Sequence, residues 1–259
     1  MNAYQRVLAA RNNARPDAMR YIDFMITDFV ELHGDRRFAD DAAIVAGLGF
    51  FGNRCVTVLG LEKGVDTPDR LRRNFGSAQP EGYRKSLWHL RQAEKFGRPV
   101  LCFIDTAGAA CGVGAEERGQ GQAIAENLWE MMGLMVPVLS VIIGEGGSGG
   151  ALALACANRV WMLENAVYSV LSPEGAASII YKDAGKVEEA SEALKMSARD
   201  MLAFGVIEGI LPEGEDFAQA FTSVKGAFEG ALEGFDKMTG DEIRQERYER
   251  FRGLGGDWA

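Results

Sequence analysis

Histidine is nearly absent from this sequence, with only His33 and His89 in 259 residues. Cysteine is scarce as well: Cys55, Cys102, Cys111 and Cys156 are widely spaced and include no C-x-x-C pair. A zinc cluster and a disulfide framework are both excluded by that pattern, so no metal is expected in this chain. Cys102 and Cys156 lie in apolar runs and read as small core residues. Cys111, beside glycines, is the one cysteine expected near a site. No apolar run reaches the roughly 18 residues that a bilayer span requires, and the opening MNAYQRVLAARNNARPDAMR lacks the apolar core of a signal peptide. No membrane association and a cytoplasmic location are therefore expected. Positive charge is outweighed, the formal net charge being -9, which disfavours non-specific attraction to nucleic acid. Ser- or Pro-rich linkers are lacking too. One domain over 1–259 is expected, with an N-terminal helical segment over 1–40 and a C-terminal helical tail over 213–259.

Against these absences stand 32 glycines and an apolar fraction of 47%, and both are patterned. Apolar residues at near-helical spacing predict an amphipathic helix over 17–32, behind Pro16. The stretch AAIVAGLGFFGNRCVTVLGLE reads as two strands joined at Gly52-Asn53. A helix over 80–96 follows, then RPVLCFIDTAG as a buried strand ending in a glycine loop. GAEERGQGQAIAENLWEMMGLM reads as a helix, and VPVLSVIIGEGG repeats the plan of strand and glycine loop. A short helix over 150–157, the strand RVWMLENAVYSVL and helices to the C-terminus complete the order, with residues 213–216 as an acidic surface connection. The alternation implies an α/β fold with a parallel sheet and helical crossovers. Ligands of such sheets collect at the carboxyl ends of the strands, so both glycine loops should face one site.

GEGGSGG, residues 144–150, admits several chemistries. G-x-S-x-G around Ser148 matches the nucleophile turn of serine hydrolases, but their base follows the serine in chain order, and both histidines here precede it. A phosphate cradle needs a lysine after its glycines, or a G-x-G-x-x-G opening a dinucleotide fold; no lysine follows, and G-x-G alone is common. A plain flexible turn is the simplest use of glycine. The remaining reading places Gly149, Gly150 and Ala151 in the first turn of a helix whose unpaired amides point at a ligand oxygen. Such donors stabilise charge developing on a carbonyl oxygen, each worth roughly 3 kcal/mol in other enzymes. Gly108-Ala109, at the end of the preceding strand, supplies a second candidate set, and two oxyanion holes suit enolate chemistry.

The motifs RRNFG, PEGYRK, FIDTAGAACGVGAEERGQ, VIIGEGGSGGALAL and YSVLSPEG, in this order within residues 14–212, resemble the α subunit of the carboxyltransferase component of bacterial acetyl-CoA carboxylase. The resemblance implies a crotonase-like superhelix of ββα units with flanking helices and active sites at subunit interfaces. It also implies a β subunit carrying a zinc ribbon in an α2β2 heterotetramer, a biotin carboxyl carrier protein, and biotin carboxylase as a further member of the ATP-dependent complex. The implied reaction moves the carboxyl group of carboxybiotin to acetyl-CoA, giving malonyl-CoA for fatty acid biosynthesis. Biotin itself would be the base once it has released CO2, which fits a site with no histidine base. By the resemblance Gly149 and Gly150 offer catalytic amides to the ureido oxygen, and Ser148 is a turn residue. Gly108, Ala109, Gly112, Gly114, Gly146, Gly147 and Ala151 line the biotin and substrate side. The family usually reads D-T-P-G-A-Y where this chain has Asp105-Thr106-Ala107-Gly108-Ala109-Ala110, departures that loosen the turn and remove a ring beside the site. Many members also carry a longer N-terminal helical segment. Another crotonase-like acyl-CoA carboxyltransferase, decarboxylase or hydratase is the alternative.

Arg70, Arg72, Arg73, Arg84 and Lys85 form a basic group that would either attract CoA phosphates or the acidic carrier domain, or be a solvated helix face. Glu116, Glu117 and Arg118 complement a helix dipole or hold the glycine loop. Trp129, Met131 and Met132 are expected in the core or in a subunit interface.

Overall fold

Capping side chains set the first two helices. Asn2 accepts from the Gln5 amide and opens α1 (Ala3–Ala10), and Asp17 accepts from the Arg20 amide and opens α2 (Ala18–Met25). The chain then turns to strand: β1 (Thr27–Glu31) pairs antiparallel with β2 (Ile44–Phe51). The helix expected over 17–32 thus ends at Met25, and the 1–40 segment is not helical throughout. Ile26, Thr27 and Val30 are β-branched, and the open edge of β2 offers a ladder that a longer helix would leave unpaired. Asp28, at φ 52°, marks the bulge where the register slips.

The hairpin of β2 and β3 (Arg54–Leu61) turns at Gly52-Asn53 as expected, with Gly52 left-handed at φ 61°. Helices α3 (Thr67–Arg72) and α4 (Pro80–Phe96) lead to β4 (Val100–Thr106). After β4 the single expected helix is two, α5 (Val113–Glu117) and α6 (Gln120–Gly133), parted at Gly119 with φ 81°. Next come β5 (Val138–Gly147) and α7 (Ser148–Ala155). The expected strand over 159–171 divides into β6 (Arg159–Leu163) and β7 (Val167–Ser169), because β7 leaves the line of β6 and pairs with the last residues of β5. Helices α8 (Pro173–Ala176), α9 (Val187–Leu194) and α10 (Ala198–Ala203) follow, then β8 (Gly209–Leu211), α11 (Ala218–Phe235) and α12 (Gly240–Gly253).

This is a computed structural model and describes residues 1–255. Its strands form one mixed sheet in the order β1-β2-β3-β4-β5-β6-β8. The pairs from β3 to β8 are parallel, as expected, whereas β2 runs antiparallel to both of its neighbours, β1 and β3. Both faces are covered. Phe103 of β4 stacks on Tyr21 of α2 and meets Phe228 of α11. One residue away and therefore on the other face, Cys102 lies beside Ser140, whose hydroxyl donates to the Leu154 carbonyl of α7. Residues 213–216 are not wholly a surface connection, because Glu213 is buried and binds Arg15 through both carboxylate oxygens. No helix among the described residues is long and apolar enough to cross a membrane.

Candidate active site

The loops after β4 and β5 meet at the carboxyl end of the sheet. A β-carbon on Gly147 would stand 2.1 Å from the Ala107 carbonyl oxygen, so only bare backbone fits there. A β-carbon on Gly150 would stand 2.5 Å from the Ala109 nitrogen and 2.9 Å from the Tyr83 hydroxyl. One on Gly149 would meet nothing closer than 3.7 Å, the Ile124 side chain. Gly150 is therefore packed inward and Ala151 is fully buried, while Gly149 is half-buried and leaves room for a β-carbon against Ile124. The amino end of α7 carries no side-chain cap, and the helix dipole leaves it partly positive. Thr106 braces the other loop: its hydroxyl accepts from the Gly108 amide at 3.0 Å and donates to the Gly108 carbonyl at 2.9 Å. Gln120 holds the loop's far end through the Ala78 and Ala110 carbonyls. The turn is thus held without the proline at position 107.

The structure brings Gly108, Ala109, Gly146, Gly147, Gly149, Gly150 and Ala151 into this junction. Gly112 and Gly114 sit apart, in the exposed segment that enters α5. Two larger cavities flank the junction, beside a small one of about 30 Å³ lined by Ala107, Gly146, Gly147 and Ser148 among others. One, of about 340 Å³, is apolar and lined by Ser148, Gly149, Leu152, Tyr168, Val170 and Met201 among others. The other, of about 260 Å³, is polar and includes Arg11, Lys63, Arg70, Phe75, Asp105 and Glu145.

The polar cavity holds a charged cluster that the sequence reading did not single out. Lys63 Nζ lies 2.7 Å from Asp105 Oδ1 and 2.7 Å from Glu145 Oε2, and Arg11 Nε donates to Glu145 Oε1 at 2.7 Å. Burial alone would raise the Glu145 carboxyl, but Lys63 and Arg11 outweigh it and hold it below its ordinary value. Burial likewise opposes the charge on Lys63, and Asp105 and Glu145 together raise it above the ordinary lysine value. A signal was available: Lys63, Asp105 and Glu145 each end an apolar strand run, where a parallel sheet gathers its ligands.

No acid–base pair for Ser148 is present among the described residues. Its backbone is left-handed, φ 53°, and its exposed hydroxyl has no hydrogen-bond partner among the described residues. His89 is buried in α4 against Trp88, and burial above all, then Lys85, Arg36 and Arg98, pushes it down to about 4. His33 pairs with Asp40 at 3.2 Å in the segment between β1 and β2. The basic group is also mostly committed. Arg84 binds Asp35 and Glu81, Lys85 binds Asp40, and Arg72 and Arg73 bind Asp69. Arg84 and Lys85 are buried, so neither a solvated face nor a free phosphate site describes them. Arg118 binds Glu81, which ties α5 to α4 beside the loop. Met131 is in the core, whereas Trp129 is 84% exposed. Cys102 and Cys156 are buried, and Cys111 is exposed just after Ala110.

Residues 1–255 match the family described as "Acetyl co-enzyme A carboxylase carboxyltransferase-like". The chain is 55% identical over 256 residues to the acetyl-coenzyme A carboxylase carboxyl transferase subunit alpha of Ruminiclostridium cellulolyticum, covering 98% of each chain. It is 48% identical over 260 residues to that of Clostridium acetobutylicum, covering 98% of this chain and 95% of the other. Among solved structures it superposes on transcarboxylase 12S with a TM-score of 0.70 at 18% identity, over 85% of this chain and 42% of that one. On a Pseudomonas malonate decarboxylase hetero-tetramer in complex with coenzyme A it reaches 0.67 at 18% identity, over 82% and 86%. At such identities the two superpositions show the fold: an α/β, crotonase-like carboxyltransferase architecture.

Proposed function

The chain belongs to the acetyl-CoA carboxylase carboxyltransferase family and shares its biotin-dependent activity, and we propose that main-chain amides at Gly149 and Gly150 do this subunit's part of the chemistry. The reaction gives malonyl-CoA from acetyl-CoA for fatty acid synthesis. Carboxybiotin, when bound, supplies the carboxyl group and, having given it up, the base. What the protein must contribute is a seat for the ureido oxygen, positioning of the reactants and exclusion of stray water.

The observation that carries this reading is the open, uncapped mouth of α7. A β-carbon on Gly149 would come no closer than 3.7 Å to any neighbour, the Ile124 side chain, so the backbone at the uncapped start of α7 leaves room for an oxygen to approach. The dipole of α7 favours negative charge at that point. Ala107 and Gly108 stand against Gly147 and fix the opposite wall. No histidine sits beside the junction to remove a proton from acetyl-CoA, which agrees with a base brought in by the cofactor. The apolar cavity beside Gly149 is suited to the ring and alkyl arm of biotin. Gly112 and Gly114 would act only by shaping the approach to the loop.

The α-type chain implies a β partner. We assign to that partner the zinc ribbon and the thioester oxygen site, in an α2β2 assembly in the cytoplasm. The carrier protein would bring carboxybiotin to the α7 mouth, and biotin carboxylase would recharge it. Exposed Trp129 and Val170 are apolar surface that such a partner can cover. The test is reconstitution: the chain alone should form no malonyl-CoA, and addition of the β subunit with carboxybiotin should start transfer. Turnover of an acyl-CoA by this chain alone, without biotin, would instead favour a hydratase or decarboxylase.

A further inference from the structure

We propose that Lys63 is a positioning residue for the transfer reaction, its ammonium tying Asp105 to Glu145 and so fixing the loop after β4 against the loop after β5. The inference rests on the functional reading above and extends it to a residue outside the glycine motifs.

The need for such a tie lies in the sheet. Strands β4 and β5 pair evenly from Val100↔Val138 to Ile104↔Ile142, and the next pair is Thr106↔Gly146. Two steps along β4 thus correspond to four along β5. The main-chain ladder slips at the point where the two catalytic loops depart, and backbone pairing alone cannot set their spacing there. Side chains take over. Asp105 Oδ1 accepts the Glu145 amide at 2.8 Å, and the Asp105 carboxylate occupies the space above Gly144, where a β-carbon would come within 3 Å of three of its atoms. Arg15 donates to the Ile143 carbonyl at 3.0 and 2.9 Å, holding the extra turn of β5 from the other side.

This arrangement places two buried carboxylates side by side, each 8% exposed. Lys63, from the residues just beyond β3, meets both at 2.7 Å. Arg11 is a second cation for Glu145 but is shared with Glu174, and Asp105 has no other ion-pair partner among the described residues. Without Lys63 the pair would repel, and the loops that begin two residues beyond each carboxylate would move apart. Because Gly147 touches Ala107 and Gly150 touches Ala109, a shift in one loop displaces the other and with it the amides of α7.

The test uses the complex of this chain with its β subunit and carboxybiotin as donor. Lys63→Met should lower kcat by about a hundredfold, the scale of a misplacement near 1 Å, with the KM for acetyl-CoA within about twofold of wild type. Adding Asp105→Asn to Lys63→Met removes one of the two like charges and should recover at least about tenfold of that loss, which a side chain serving only general stability would not allow. Lys63→Arg should retain more activity than Lys63→Met. Hydrogen exchange read on the same proteins should show faster exchange in 107–110 and 146–150 for Lys63→Met, with α4 unchanged, and slower exchange again in the double variant. Wild-type kcat in Lys63→Met, or no recovery in the double variant, overturns the proposal. If the wild-type complex itself forms no malonyl-CoA, the functional reading falls, while the exchange data still decide whether Lys63 ties the loops.

Discussion

Gly150 lies against Ala109 so closely that a β-carbon on it would stand 2.5 Å from the Ala109 nitrogen, whereas its neighbour Gly149 has 3.7 Å of clearance to Ile124. The two glycines therefore answer different demands, Gly150 that of packing and Gly149 that of access.

Gly149→Ala should fold and assemble normally, and Gly149→Val should keep the fold while lowering transfer by about two orders of magnitude, the usual effect of losing one oxyanion donor. Gly150→Ala, by contrast, should displace the 107–110 loop and lower thermal stability as well as activity. Paired measurements of melting temperature and malonyl-CoA formation separate the two. Equal stability losses for both alanine variants would contradict the distinction. A valine at position 150 is consequently unfit as a probe of catalysis alone.

Ser148→Ala should retain most of the transfer rate, and a fluorophosphonate should not label Ser148. Its left-handed backbone costs an L side chain roughly 1 kcal/mol, so Ser148→Gly should change stability by less than about 1 kcal/mol. Loss of activity in Ser148→Ala with an intact complex would return the serine to the chemistry.

Glu62 is pushed up to about 7 from its ordinary 4.5, first by burial and then by the Asp17 carboxylate, against the opposing amides of Gly64 and Met19 and the charge of Arg73. Its folded value lies above its unfolded one. The stability it contributes is therefore fully present below about 4.5 and is lost as pH rises through about 7. Urea unfolding of wild type and Glu62→Gln should show wild type losing stability relative to the variant across that window. A pH-independent difference would contradict the assignment.

Arg247 of α12 is fully buried and donates to the Met131, Leu134 and Val136 carbonyls at 2.7–2.8 Å and to Asn158 Oδ1. It closes the carboxyl end of α6. Arg247→Ala should cost about 3 kcal/mol by stranding these acceptors, measured as a fall in urea midpoint, with the active-site loops otherwise unchanged. A cost below about 1 kcal/mol would show that water replaces the guanidinium.

Strands β4 and β5 were legible because each is an apolar run closed by glycine, and their convergence on one site followed from parallel topology. Strand β1 was not, because Ile26, Phe29 and Val30 recur at the i, i+3, i+4 spacing of a helix, and the bulge at Asp28 breaks the alternation a strand would show. Only the unpaired edge of β2 decides between them. Arg84 and Lys85 misled for a related reason: a run of cations in a helix looks solvated until Asp35, Asp40 and Glu81 are folded against it. The Lys63 cluster joins three strand ends that are 42 and 40 residues apart in sequence; each end is legible as the close of an apolar run, but only the fold brings the three side chains into contact. Gly149 and Gly150 stood out in the sequence as a pair. Their difference in clearance depends on Ile124 and Ala109, which only the fold supplies.

The most direct measurement is the position of biotin in the assembled complex of this chain and its β subunit, determined by crystallography. The ureido oxygen should lie within hydrogen-bond distance of the Gly149 or Gly150 amide at the mouth of α7, with the ring beside Leu152 and Tyr168. A ureido group seated away from that mouth, in a complex that still makes malonyl-CoA, would contradict the assignment.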